Sequence, residues 1–296
     1  MFRPNFLQKA DKVALVSPAG RVTPDQVEYA IEVLKSWDLE PVEGQYLFHH
    51  QGCFAGSDAQ RLSDFQWAMD DQEIKAIFCS RGGYGSMRIV EELDYSTFQG
   101  NPKWVVGFSD ITVFHAKMTS LGIESLHAPV LKNYPTLAPQ ALAQLKDFLF
   151  GKISSYTVLP HPLNRAGTAR GELIGGNLSL LHCVRSTVVE HHSHKAILFL
   201  EDVGENLYAI DRMMQSFKLS GRLADLQGLV IGDFTDMKGA DFGKTASDII
   251  REAVNEYDYP VCFGFPAGHT TENYPLLMGA DVELSVDENE GLLKII

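Results

Sequence analysis

Several things are scarce in this sequence, and each scarcity removes a class of function. No window approaches the roughly 18 uncharged apolar residues that a membrane-spanning helix needs. The first twenty residues hold no apolar run long enough for an export signal, because Gln8, Lys9, Asp11 and Lys12 interrupt it, so the expected compartment is the cytoplasm. Positive charge is also short: 25 Lys and Arg stand against 38 Asp and Glu, a net of -13. That balance offers no basic footprint for phosphate backbones or anionic lipid, so neither nucleic acid nor a membrane is an expected partner. The four cysteines, Cys53, Cys79, Cys183 and Cys262, form no C-x-x-C pair. Two of them sit in the apolar runs AIFCS and VCFGF, and all four read as reduced thiols. Repeats and low-complexity tracts are absent. What remains is 296 residues, 45% hydrophobic and 10% aromatic, enough for a sizeable core and, at roughly 150 residues per domain, for about two domains.

The first half alternates short β-branched runs with capped helical patterns, the mark of an α/β fold in which helices flank a mostly parallel sheet. Lys12–Val16 reads as a strand. Thr23-Pro24-Asp25-Gln26 then supplies an N-cap hydroxyl, a proline and a Gln at N3 for the helix VEYAIEVLKSW. A second capping box at Ser57-Asp58-Ala59-Gln60 opens RLSDFQWAMDD, and Lys75–Cys79 is the next strand. Arg81–Gly85 is a glycine turn into SMRIVEEL, and Lys103–Val106 a strand that leads through Gly107-Phe108-Ser109-Asp110 into the helix ITVFHAKMTSL. A helix PQALAQLKDFLF ends at Gly151, and the Pro- and polar-rich stretch after it reads as a link. The expected organisation is an N-terminal flavodoxin- or Rossmann-like domain at 1–150, a linker at 151–170, and a C-terminal α/β domain at 171–296. In the second domain strands are expected at Ala196–Leu200, Leu229–Ile231 and Val261–Phe265, helices around Ala209–Leu219 and Thr245–Glu256, and a terminal hairpin from MGADVELSV and GLLKII.

Ligands in parallel α/β sheets bind beyond the carboxyl ends of strands. Ser109 follows such a strand on a tight turn into a helix, where a hydroxyl is exposed and helix amides favour negative charge; the N–H of Asp110 is a candidate oxyanion donor. The same serine fits a plain N-cap, since Ile111 stands where a G-x-S-x-G motif needs its last glycine. The run Ser80-Arg81-Gly82-Gly83-Tyr84-Gly85 lets backbone amides approach an anion but lacks both nucleotide-binding glycine spacings, and it also fits an ordinary turn. Glu201 and Asp202 end an apolar strand, and His269 follows another. Serine needs an imidazole to activate it, and the imidazole needs a carboxylate to hold its tautomer. Ser109, Glu201 and His269 supply nucleophile, carboxylate and imidazole in that chain order, although spacing alone does not separate His269 from His115, His127 or His182, nor Glu201 from Glu172, Glu205 or Glu272. Arg81, Tyr84, Asn177 and Asn273 either line a cleft or satisfy turns. The cluster His191-His192-Ser193-His194 lacks a matching carboxylate or thiol spacing, so no metal and no cofactor is expected.

The segments CSRGGYGSMRI, VVGFSDIT, GELIGGNLSLL, LFLEDVGENLYAIDRMM and GFPAGHTTENYPLLMG together resemble the LD-carboxypeptidase family of serine peptidases. That family includes muramoyl-tetrapeptide carboxypeptidases and microcin C7 self-immunity proteins. The likeness runs in order from VALVSPAG to PLLMG, with Pro-Leu-Leu-Met-Gly where many relatives read Pro-Leu-Pro-x-Gly. It implies Ser109 as nucleophile, His269 as general base and Glu201 as its partner, in a cleft between two domains. It implies an oxyanion hole from the amides of Asp110 and a glycine of RGGYG, assigned to Gly83 with Gly82 as competitor. The expected activity is release of terminal D-alanine from murein tetrapeptides by a homodimer, with hydrolysis of a peptidyl-nucleotide antibiotic as the alternative within the family. Outside it stands a protein that merely binds a small anion at RGGYG and Ser109.

Overall fold

The computed structural model describes residues 1–152, 155–191 and 194–296. In chain order the first half runs β1 (Lys12–Val16), α1 (Pro24–Ser36), β2 (Glu40–Glu43), α2 (Asp58–Asp70), β3 (Ile74–Cys79), α3 (Ser96–Gly100), β4 (Trp104–Gly107), α4 (Thr112–Ser120), β5 (Ser125–His127) and α5 (Pro139–Leu149). The second half continues β6 (Ser155–Val158), β7 (Gly167–Asn177), α6 (Leu178–Cys183), β8 (Ile197–Val203), α7 (Leu207–Leu219), β9 (Gly228–Thr235), α8 (Ala246–Ala253), β10 (Val261–Phe263), β11 (Leu276–Met278), β12 (Asp281–Val286) and β13 (Gly291–Ile295). Both expected capping boxes operate at α1 and α2: Gln26 Oε1 accepts from the Thr23 amide at 3.2 Å, and Gln60 Oε1 from the Ser57 amide at 2.9 Å.

Two sheets result. The first is ordered β11-β5-β4-β3-β1-β2, all parallel except β11, and the second β10-β9-β8-β7-β12-β13-β6, parallel from β10 to β7 and antiparallel beyond. The chain is thus α/β with helices flanking parallel-rich sheets. The stretch SMRIVEEL forms only a single 3-10 turn, Ser86–Arg88, whose Ser86 amide donates to the Asp110 carboxylate at 2.8 Å. Residues 155–158, inside the stretch read as a link, pair with β13. β8 extends through Glu201 and Asp202 to Val203, so both carboxylates lie within the strand rather than after it. The chain leaves the second sheet after β10, adds β11 to the first sheet beside β5, and returns to the second at β12. One apolar core accordingly runs through both, from Phe78 and Val106 to Phe199, Phe265 and Leu284. Among the described residues no helix is long and apolar enough to cross a membrane.

Candidate active site

The site begins with backbone geometry at the end of β4. Phe108 is extended, and Ser109 then takes φ +65°, a left-handed conformation costing a non-glycine residue about 1–3 kcal/mol. The turn closes because two glycines leave room for it. A Cβ on Gly107 would lie 2.9 Å from the Ile111 side chain, and one on Gly82 would lie 2.8 Å from Ser109 Cβ and 3.0 Å from its Oγ. A 3-10 turn, Ser109–Ile111, leads into α4. The Ser109 hydroxyl caps no helix amide; it faces His269, with Oγ donating to Nε2 at 3.1 Å.

His269 Nδ1 in turn donates to Glu201 Oε2 at 2.7 Å. Glu201 is fully buried, and its Oε1 has no hydrogen-bond partner among the described residues. Gly268 lets the loop come this close, since its φ is +126° and a Cβ there would stand 3.1 Å from Oε2. Asn273 ties the same loop by accepting the Gly268 amide at 3.0 Å, and Thr271 O accepts from Ala138 at 2.8 Å. The Phe108 ring lies 4.7 Å from that of His269. Behind Phe108 sits the fully buried His127, whose pKa burial drives well below the usual imidazole range, the neighbouring His115 and His269 acting in the same direction. Its neutral ring adds no positive charge beneath His269.

The glycine turn meets this group from the other side. Gly82 O accepts from Gly20 N at 2.9 Å, so in a trans peptide the Gly83 N–H points away from Gly20. A Cβ on Gly82 would stand 3.3 Å from the Asp110 amide, which places the two amide-bearing segments side by side. The Asp110 carboxyl is buried, which raises its pKa.

The remaining candidates divide. Arg81 donates to Arg21 O at 2.9 Å and opens on a cleft of about 410 Å³. Tyr84 is exposed against Phe54. Asn177 is buried with both ends of its amide engaged: Oδ1 accepts the Leu180 amide at 3.2 Å, and Nδ2 donates to Asp202 Oδ1 at 2.9 Å. It fastens α6 to β8 and presents no polar atom in need of a substrate. Of the competing residues, His115 is buried between Gly107 O and Ser125 Oγ, His182 stacks on Phe217, and Glu172 pairs with His191. His192 and Ser193 of the histidine cluster lie outside the described residues; among those described, no three His, Cys, Asp or Glu gather as a metal site. Lys132 escaped the sequence reading. Its amide donates to Ser80 O at 3.0 Å, and its pKa is lowered by burial and then by the neighbouring charge of Arg81. Recognising β5 would have placed it beyond a strand's carboxyl end.

Comparison with known proteins covers nearly the whole chain. Residues 13–128 match the LD-carboxypeptidase N-terminal domain, and residues 170–284 the LD-carboxypeptidase C-terminal domain. The chain is 30% identical to the murein tetrapeptide carboxypeptidase of Pseudomonas aeruginosa, over 88% of this chain and 89% of that one. It is 31% identical, over 99% of this chain and 94% of the other, to a Bacillus subtilis protein named "probable murein peptide carboxypeptidase". A crystal structure of muramoyltetrapeptide carboxypeptidase from Oxalobacter formigenes superposes with a TM-score of 0.88 at 27% identity, over 96% of this chain and 98% of that one. Microcin C7 self immunity protein MccF in complex with aspartyl sulfamoyl adenosine shares the fold, with a TM-score of 0.89 at 19% identity over 99% of this chain and 98% of that one.

Proposed function

Because the chain belongs to the LD-carboxypeptidase family of serine peptidases, we propose that it hydrolyses the bond between the L-centre of a diamino acid and the terminal D-alanine of murein tetrapeptides. Recycling of cell-wall fragments in the cytoplasm is the setting that suits this reaction. The observation that carries the reading is the hydrogen-bonded series Ser109, His269, Glu201 at 3.1 and 2.7 Å. Ser109 Oγ attacks the scissile carbonyl while Nε2 of His269 accepts its proton. Glu201 holds the proton on Nδ1 and stabilises the imidazolium from a site with no water-facing surface. The oxyanion rests on the amides of Asp110 and Gly83, the latter supported by the Gly82 carbonyl turning toward Gly20. The imidazolium protonates the departing D-alanine amine, and water then releases the acyl group by the same steps in reverse order.

The test is D-alanine release from L-Ala-γ-D-Glu-meso-diaminopimelyl-D-Ala and from its lysine counterpart, with the Ser109→Ala variant alongside. Release by the wild type, reduced on the order of 10⁴-fold or more in the variant, is expected. A folded wild type that releases none from either peptide overturns the murein reading. Turnover of a peptidyl-nucleotide in its place would select the other branch of the family, and binding unaffected by Ser109→Ala would select a non-enzymatic anion-binding role.

A further inference from the structure

In a chain with a net charge of -13, three neighbouring cations around the glycine turn that abuts Ser109 make no ion pair among the described residues. Arg88 pairs with Asp58, Lys117 with Glu91 and Lys244 with Glu252. Arg21, Arg81 and Lys132 have no carboxylate within 4.0 Å among the described residues. They are also held near one another. Arg81 reaches the Arg21 carbonyl, both open on the same 410 Å³ cleft, and the Arg81 charge helps depress the pKa of the half-buried Lys132. Arg81 and Lys132 are half-buried and Arg21 is exposed beside them, and an anion brought among these like charges relieves their repulsion.

Their position says which anion. Arg81 immediately precedes Gly82, whose Cβ position is 2.8 Å from that of Ser109. The Lys132 amide is bonded to Ser80 O, and the segment that Lys132 enters ends at Ala138, bonded to Thr271 in the His269 loop. The two side chains therefore start from backbone that flanks the nucleophile on one side and the base loop on the other. When the scissile bond is the last peptide bond of a chain, the free carboxylate lies one residue, about 3.8 Å of backbone, past the reacting carbon. We propose that Arg81 and Lys132 bind that carboxylate and thereby restrict cleavage to chain ends, with Arg21 adding to the field behind them. This inference rests on the peptidase reading and names the residues that make it an exopeptidase.

The experiment compares L-Ala-γ-D-Glu-meso-diaminopimelyl-D-Ala with the same peptide ending in D-alaninamide, for the wild type, Arg81→Met, Lys132→Met and the double variant. A charge-assisted pair supports a preference of about 10²-fold in kcat/KM for the free acid. The double variant is expected to lose most of that preference, its kcat/KM falling about 10²-fold further on the acid than on the amide, with circular dichroism and thermal unfolding showing that it is folded. Arg81→Lys and Lys132→Arg should keep it. An acid-to-amide ratio unchanged in the double variant overturns the proposal, as does an equal fall on both substrates with thermal stability intact. Should the double variant not fold, the ratio measured with Arg81→Gln alone decides in the same way. A wild type that cleaves neither peptide overturns the peptidase reading itself, a result distinct from a changed ratio.

Discussion

At the scale of single residues, the site depends on what two glycines leave out. Gly82 does not have a positive φ, so alanine is conformationally admissible there; the obstacle is that its methyl would stand 2.8 Å from Ser109 Cβ and 3.0 Å from Oγ. Contacts that short displace the softer partner, and the serine already sits in a strained φ of +65°. Gly82→Ala is therefore expected to keep its thermal stability within a few degrees while kcat falls at least about 10²-fold, since a misplacement near 1 Å is enough for such a loss. A variant of wild-type kcat would show that the hydroxyl does not need this space. Ser109 stands out in the sequence through its local strand-turn-helix setting, which fits a plain N-cap as well, and its reading as nucleophile came from the family resemblance. His269 and Glu201 are 160 and 92 residues away, with His269 Nε2 bonded to the serine across that separation. Composition and spacing contain no term for such a contact, and the choice among four histidines came from the family resemblance.

At the scale of elements, the capped helices and the short strands β4 and β10 were readable, while β5, β7 and β11 were not. α1 and α2 announce themselves through paired side chain to backbone hydrogen bonds within four residues. β5 and β11 are three residues each and buried throughout, so they show no alternation, and β7 is rich in glycine, which is depleted from strands. α4 then fixes β4 to β5 through His115, whose Nε2 donates to Gly107 O at 2.7 Å and whose Nδ1 accepts from Ser125 Oγ at 2.8 Å. That is the neutral tautomer, and burial pulls its pKa down to about 4, outweighing the bond to Gly107. The unfolded chain has an ordinary histidine near 6.5, so between pH 6.5 and 4 the unfolded state binds the extra proton and stability falls as pH falls. From pH 7 to pH 5 this one group withdraws about 2 kcal/mol. Urea unfolding followed at several pH values should show that loss in the wild type, and a correspondingly shallower slope in His115→Gln whatever its stability at pH 7. Equal slopes would mean that His115 is charged in the native state.

At the scale of the whole molecule, the question is what keeps a serine on one sheet within reach of a carboxylate on the other. Ser109 follows β4 of the first sheet, Glu201 lies in β8 of the second, and His269 sits on the segment that crosses between them. That segment does not merely bridge. It inserts β11 beside β5, with Leu276, Leu277 and Met278 all buried, before β12 returns to the second sheet. The first sheet is therefore completed by residues from the far end of the chain. A fragment of residues 1–150 would leave the β5 edge unpaired and strip the apolar cover from Leu126 and Ala128, while the rest of the chain would carry an orphan strand. Stability should then be shared: the full chain is expected to unfold in one transition, with far-UV circular dichroism, tryptophan fluorescence and D-alanine release lost together. The 1–150 fragment should aggregate or show dispersed amide signals only when a peptide spanning 264–280 is supplied. Two separated transitions in the full chain, or a well-folded fragment alone, would mean that the halves are independent and that the distance from Ser109 to Glu201 is set by their interface rather than by the crossing strand.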